Sequence, residues 1–398
     1  MNYLLIEPKG KALAPNIALM KWARWCEIKK QNYQYVRGKV VPDIIPHKML
    51  MSCIFSYDSR KYENTINFYK RLFPDVPLVA GGVFPSLNPK WFSFRWKKRL
   101  KNGEHEVSIY QGLHPDIENL APKYNVSIKS EGKLPYERDK IVLYASRGCV
   151  NKCGYCAVPR LEGDMRCYKS IKHILDLAKT ELPNAKSIVF YDNNFTEHEY
   201  FDDIVDELVE FGLPIDIHGL HVDSFTEHHA KRFAELKWAG QSKNGPPYIR
   251  FSFDKFRYSA NIERALKLAI KYDIKATFFC YMLFNFNDSP HDFWKRIVET
   301  HDIVSRNKRT IVLFPQRYEP LKALKRNQYI GPKWTDEKVR GLVKLYTYLR
   351  GFIPITYNSN TIRWLGFTED EFFGKVMHMN QKNKLNKFTE DVIFLLEY

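Results

Sequence analysis

Ser146-Arg147-Gly148-Cys149-Val150-Asn151-Lys152-Cys153-Gly154-Tyr155-Cys156 decides how the rest of this sequence is read. Three cysteines stand at C-x3-C-x2-C, just after the apolar run Ile141-Val142-Leu143-Tyr144-Ala145. That run reads as a buried strand, and Gly148 and Gly154 let the loop behind it fold back. Thiolates are the soft ligands that iron–sulfur clusters need, so three converging from one loop can hold three corners of a cubane cluster. The loop offers no fourth protein ligand, which leaves one iron open. A zinc site would need another Cys or His at ligand spacing. The nearest candidates, Cys167 and His173, stand in no familiar zinc-ribbon spacing. The stretch reads as a reaction site.

Downstream, strand and helix signals alternate. Strands are expected over 187–191, 214–218, 248–253, 275–284 and 310–314, and helices over 170–180, 199–211, 227–238, 261–272 and 290–305. Upstream, strands over 3–6, 49–55 and 77–80 alternate with helices over 17–30 and 60–73, and a short helix is expected over 115–121. Strands separated by helices of this length imply βαβ units and parallel sheets, with ligands at the carboxyl ends of the strands. Residues 122–140, with Pro122, Gly132, Pro135 and many charges, read as a linker. Beyond Pro332 the pattern turns helical, over 335–349 with Thr335 as N-cap, and in two helices within 368–398, the second ending in Val392-Ile393-Phe394-Leu395-Leu396.

The cysteine spacing, the aromatic Tyr155 ahead of the last cysteine and the preceding strand together resemble the radical S-adenosylmethionine (SAM) superfamily. There a C-x3-C-x-aromatic-C loop follows the first strand of a partial (β/α) barrel. The resemblance covers about 141–330. More loosely, the first part resembles the Rossmann-like cobalamin (B12)-binding domain found ahead of many such cores, with Gly81-Gly82 where a nucleotide tail approaches the backbone. The implied fold class is α/β: a Rossmann-like domain over 1–121, a linker over 122–140, a partial (β/α)6 radical SAM barrel over 141–330 and a mostly helical C-terminal extension over 331–398.

The resemblance also implies a chemistry. Cys149, Cys153 and Cys156 would ligate a [4Fe-4S] cluster whose open iron is chelated by SAM. Reductive cleavage of SAM would then start hydrogen abstraction on a substrate, with cobalamin-assisted methyl transfer as an extension. Tyr155 matches the aromatic position beside the adenine of SAM. Asp192, Asn193 and Asn194 end the second strand, where the family binds the SAM amino group through a Gly-Gly-Glu-like turn, although the glycines are absent here. Arg250 and Ser252 share a face of the fourth strand and are assigned to SAM. Substrate-side candidates are Cys280, Tyr281, Asn285, Gln316, Arg317 and Tyr318, with His218 and His221 as acid or base; Cys280 also reads as a small core residue. A histidine-ligated cobalamin site would carry D-x-H-x-x-G after the first strand. The chain has Glu7-Pro8-Lys9-Gly10-Lys11-Ala12 there, so cobalamin stays open beside a retained fold without it. A flavodoxin- or ferredoxin-like one-electron reductant is the implied partner.

Charge and composition bound the rest. The formal charge is +17, and residues 1–140 carry 24 Lys/Arg against 13 Asp/Glu. A basic surface suits nucleic acid or another anionic molecule without defining a groove for it. Lys90 to Lys101 interleaves aromatic with basic residues; it is expected to be an amphipathic helix packing Trp91 and Phe94 inward, and alternatively a base-stacking segment. No apolar run approaches the roughly 20 residues of a membrane span. The start of the chain lacks a secretory pattern and the cysteines cluster in one loop, so the expected location is cytoplasmic. Two other functions fit parts of the sequence. A methylthiotransferase acting on RNA or protein shares the Cys-Gly-Tyr-Cys-Ala-Val-Pro run, but only Cys26 and Cys53 precede residue 149, too few for its second cluster. A nucleic-acid-binding protein with a structural metal fits the charge but lacks a fourth ligand.

Overall fold

β1 (Asn2–Glu7) is the axis of the first sheet, and Leu4, Leu5 and Ile6 are completely buried. Each such side chain contributes about 1.5–3 kcal/mol of burial. The computed structural model describes residues 1–10, 15–101, 103–136, 138–240, 245–349, 351–357 and 365–378. It forms two units, Met1–Val189 with Glu319–Gln328, and Phe190–Tyr318 with Tyr329–Tyr398.

In the first unit β1 pairs in parallel with β2 (Asn32–Arg37) and with β3 (Lys48–Ser52). Beyond β3 lie β4 (Leu78–Gly81) and β5 (Val107–Ile109), and beyond β2 lies β6 (Ile128–Ser130), all parallel. The order β5-β4-β3-β1-β2-β6 reverses direction between β1 and β3, the kind of switch point beside which α/β sheets open a crevice for ligands. The crossovers are α1 (Ile17–Ile28), capped by Asn16 accepting from the Leu19 N–H, and α2 (Ser59–Leu72). After β4 come α3 (Val83–Leu87) and α4 (Pro89–Arg95), and after β5 comes α5 (Pro115–Glu118).

Several expectations are corrected. β2 was not foreseen: its Arg37 looks like a surface residue but donates to buried Glu7 at 3.0 Å, and Tyr35 donates to the same carboxylate at 2.5 Å. Residues 122–140 are not simply a linker, because β6 closes the sheet beside β2. The helix within 90–101 stops at Arg95; Trp91 packs inward as expected, but Phe94 is 74% exposed.

The cysteine stretch follows β7 (Lys140–Leu143), which shares a sheet with β10 (Ser187–Phe190). β8 (Ser146–Arg147) pairs antiparallel with β9 (Arg166–Cys167), so the loop between them is closed at its base. Within that loop lies α6 (Val158–Leu161), and α7 (Lys172–Glu181) leads to β10. Ser170, expected as N-cap of α7, lies one residue before the cap but still accepts the Lys172 N–H at 3.2 Å.

The second unit continues the strand–helix rhythm. α8 (Phe201–Phe211) precedes β11 (Ile215–Ile217), and α9 (Glu227–Phe233) precedes β12 (Tyr248–Ser252). α10 (Ser259–Lys271), β13 (Thr277–Phe284), α11 (Pro290–Asn307) and β14 (Ile311–Arg317) follow. β12, β13 and β14 are parallel neighbours, and β15 (Ile353–Ile355) adds to β14 antiparallel. β11 is not continuous with this sheet; the isolated parallel bridge Leu220–Phe251 links its trailing segment to β12. Arg296 of α11 is fully buried and donates to the carbonyls of Phe253 at 2.7 Å and Leu283 at 2.9 Å, fixing the ends of β12 and β13. α12 (Asp336–Tyr348), capped by Thr335 as expected, and α13 (Glu369–Met377), capped by Thr368, complete the described helices. The helix expected at the chain end, with Val392 to Leu396, lies outside the described residues, as do Lys11 and Ala12.

Candidate active site

Gly148 is where the sequence dictates the cysteine loop. Its φ is +78°, and a Cβ there would lie 2.1 Å from the Asp164 carbonyl oxygen. Only glycine fits this turn. Its N–H donates to Glu162 at 2.8 Å, and the other Glu162 oxygen pairs with Arg147 at 2.9 Å. Arg147 also meets Glu118 at 3.3 Å and lies over the Tyr144 ring at 3.9 Å, with only 9% of its surface exposed. A buried guanidinium between two carboxylates is a costly group to place unless it fixes something. What it fixes is the residue pair that leads into the first cysteine.

Cys149 is buried, and Cys153 and Cys156 are half-buried. The Cys149 sulfur accepts the Asn151 N–H at 3.4 Å and the Cys156 sulfur accepts the Val158 N–H at 3.5 Å. Burial raises the Cys156 thiol, and charge on Cys153 and Cys149 raises it further, so Cys156 lies within the field of the other two sulfurs. Among the described residues no three His, Cys, Asp or Glu side chains are gathered like the ligands of a single ion. A cubane cluster distributes its thiolates over separate corners, and N–H groups aimed at the sulfurs are among the features that tune it. Three thiols in one loop, two of them receiving N–H groups, are a donor set that suits such a cluster. Cys167 sits in β9 and His173 is exposed on α7. Tyr155 is half-buried within the loop.

A cavity of 590 Å³ adjoins the base of this loop within the first unit. Trp22, Trp25 and His114 line it together with Lys21, Glu118 and Arg147. The Lys21 amine donates to the Glu118 carbonyl at 2.5 Å, and burial brings its pKa down to about 8. Burial also lowers the His114 imidazole, which packs against Trp22 at 4.8 Å and Tyr110 at 4.3 Å. Sequence reasoning missed these residues, since none belongs to a motif. The described part of the loop after β1 offers no imidazole; its Glu7 is held by Tyr35 and Arg37. The residues there do not make a histidine-ligated cobalamin site.

In the second unit the turn after β10 has Asp192 and Asn194 buried and Asn193 half-buried. It packs on Gly219, where a Cβ would come within 2.0 Å of the Asp192 carbonyl oxygen. Asn194 Oδ1 accepts from the Thr196 hydroxyl at 3.0 Å, but its buried Nδ2 has no hydrogen-bond partner among the described residues. An orphaned buried donor is rare. Arg250 is 2% exposed and bound to Asp216, and it lies 5.3 Å from the Tyr248 ring centre and 5.5 Å from that of Phe279. Its guanidinium is thus engaged internally, while Ser252 is half-buried at the strand end. Asp216 also meets His218 Nε2 at 3.2 Å, and the His218 ring packs edge-on against Tyr191 at 5.2 Å.

The remaining candidates separate cleanly. Cys280 is fully buried, with its thiol pushed up by burial, and is a core residue. Tyr281 is half-buried beside Phe314, and burial raises its hydroxyl. Asn285 is structural: it donates to the Tyr329 carbonyl at 3.0 Å and accepts the Gly331 N–H at 2.7 Å. Arg317 donates to the same Tyr329 carbonyl at 2.8 Å, Tyr318 packs on Phe286 at 4.6 Å, and Gln316 is exposed. His221 stands 4.0 Å from Asp223 and edge-on to Tyr258.

No family model matches the chain, and no curated relative matches it. Among solved structures it is similar to SuiB of Streptococcus suis bound to S-adenosylmethionine, at 18% identity and a TM-score of 0.36, over 52% of this chain and 47% of that one. SuiB bound to its precursor peptide SuiA aligns at 16% identity and a TM-score of 0.36, over 63% of this chain and 54% of that one. The chain thus spans about half the length of the SuiB chains it matches. Its described residues include no helix long and apolar enough to cross a membrane.

Proposed function

We propose that the chain is a radical SAM enzyme whose Cys149, Cys153 and Cys156 hold a [4Fe-4S] cluster with one iron open to S-adenosylmethionine. The observation that carries this is the cysteine loop itself: three thiols within eight residues, with Cys156 in the field of the other two and two of the sulfurs receiving backbone N–H groups, on a turn fixed by Gly148, Arg147 and Glu162. Such a cluster supplies one-electron reductive cleavage of SAM and a 5′-deoxyadenosyl radical that removes hydrogen from an unactivated carbon.

The chain's own residues hold and orient. Tyr155 provides an aromatic face for adenine, and the Asp192-Asn193-Asn194 turn provides carboxylate and amide groups for the amino-acid end of SAM. The orphaned Asn194 Nδ2 supports that role, because a ligand carboxylate or carbonyl would satisfy it. Ser252 stands at the end of β12, and Arg250 acts through Asp216, holding His218 in one orientation. On this reading residues 1–121 together with β6 are a Rossmann-like module of the cobalamin-binding type, the rest of 122–140 leads on to the partial barrel over 141–330, and 331–398 are the extension. A flavodoxin- or ferredoxin-like protein supplies the electron.

Anaerobic reconstitution followed by iron analysis and low-temperature electron paramagnetic resonance tests the reading. About four irons per chain, with a reduced spectrum that changes on adding SAM, are expected. Zinc in place of iron in the reconstituted protein refutes it.

A further inference from the structure

The face of the first unit beyond α2 carries several exposed cations with no ion-pair partner among the described residues. α2 presents Asn64, Asn67 and Arg71 along one exposed stripe, at spacings that place them on the same side of a helix. Two grooves run beside it. One, of 740 Å³, is lined by Lys39, Asn64, Asn67, Arg71, Trp96 and Glu106 among others. The other, of 420 Å³, shares Lys39 and Asn64 and adds Lys9, Lys61 and Glu131. The two share Lys39 and Asn64 and so lie side by side along a helix about 21 Å long.

Not every cation there is available. Lys70 is buried and donates to the carbonyls of Pro74 at 2.8 Å and Val76 at 2.7 Å. Lys61 pairs with Asp58 at 2.6 Å, and Lys9 with Glu131 at 3.6 Å. Arg71, and Lys97 and Lys98 just past Trp96, are exposed and have no ion-pair partner among the described residues; Lys39 is exposed too, with its N–H donating to Glu131 at 3.0 Å and its charge in the field of that carboxylate. Trp96 is half-buried and lines the first groove, with its ring centre 5.5 Å from that of Trp91 and 6.0 Å from that of Phe92. Beside it Phe94 is 74% exposed, with the Lys97 amine 5.2 Å from its ring centre.

We propose that this face binds single-stranded nucleic acid, with Lys39 and Arg71 in the grooves and Lys97 and Lys98 beside them on the phosphates, and Trp96 and Phe94 against the bases. Spaced cations, side-chain amides and aromatic rings on one face are what a sequence-tolerant single-strand site combines. An acidic protein would use the charges but leave the rings without a stacking partner. The proposal does not rest on the cluster.

The test uses the full chain and a fluorescein-labelled oligouridine of about 20 nucleotides, followed by anisotropy over a range of KCl. Four phosphate contacts predict a slope of log affinity against log salt of about −3. Arg71→Glu with Lys98→Glu is expected to weaken binding at least about tenfold and flatten the slope by about 1.4. Phe94→Ala is expected to weaken binding several-fold with the slope unchanged, the mark of lost stacking. Lys267→Glu with Lys275→Glu, at sites 62% and 78% exposed in the second unit, makes the same change in net charge and is expected to leave affinity within about twofold. Equal loss in both double variants, or no binding at about 50 mM KCl, overturns the proposal. Competition by polyglutamate as effective as unlabelled oligouridine overturns it in favour of an acidic protein partner.

Discussion

Glu162 and Gly148 stand 14 residues apart in sequence, and the Glu162 carboxylate accepts the Gly148 N–H at 2.8 Å. The same carboxylate takes Arg147 at 2.9 Å, so one side chain grips two consecutive residues at the entrance to the cysteine loop. Replacing Glu162 by Ala leaves a guanidinium, 10% exposed, with Glu118 alone. Removing one partner of a buried pair costs about 3–5 kcal/mol. Glu162→Ala is therefore expected to lower the melting temperature and the iron bound after reconstitution, while Glu162→Gln, which keeps an acceptor for Gly148, recovers part of both. Wild-type iron content in the alanine variant would remove Glu162 from the account of the loop.

Gly148→Ala is a sharper intervention. The left-handed conformation costs a residue with a Cβ about 1–2 kcal/mol. The 2.1 Å approach to the Asp164 carbonyl adds a clash that only backbone movement relieves. Loss of bound iron is expected to exceed loss of stability, since the movement falls on the loop. Gly154→Ala, at an exposed position, serves as comparison; an equal effect of the two would show that the turn at Gly148 is not special.

Asp216 binds Arg250 on one side and His218 on the other. Asp216→Asn removes the charge that answers a guanidinium 2% exposed, and unfolding in urea is expected at clearly lower denaturant, by about 3 kcal/mol or more. Asp216→Asn combined with Arg250→Met removes both charges and is expected to regain much of the loss. A double variant as weak as the single would mean that packing, not charge, holds this site.

Lys21 gives a pH signature. Its folded pKa is about 8, below the ordinary lysine value near 10.4 in the unfolded chain. Between those values the unfolded state binds the extra proton, so the lysine's contribution makes stability rise with pH from about 8 to about 10.4. Below pH 8 both states are protonated and the cost of burying the charge is constant. Lys21→Met is expected to be more stable than wild type at pH 7, with the gap closing as pH rises through that window. A gap independent of pH would place the amine in water.

The legible part of this protein was local. The cysteine loop, the apolar runs of β1, β7 and β13 and the capped helix after Thr335 each carry their signal within a few residues. What was not legible depends on partners distant in sequence. Arg37 made β2 look exposed because Glu7, 30 positions away, answers it. Arg250 looked like a ligand contact because Asp216, 34 positions away, was not known to take it. Glu118, Arg147 and Glu162 come from three elements and meet only in space. Phe94 was expected inside because aromatic side chains usually are, but α4 ends one residue later and turns it outward.

The central claim is tested most directly by the product of SAM cleavage. Protein reconstituted without oxygen is mixed with S-adenosylmethionine and dithionite, and 5′-deoxyadenosine is measured for wild type and Cys153→Ala. The account predicts 5′-deoxyadenosine from wild type and none above background from the variant. Equal amounts from both, or none from a wild type whose cluster is assembled and changes its spectrum with neither SAM nor reductant, would contradict it.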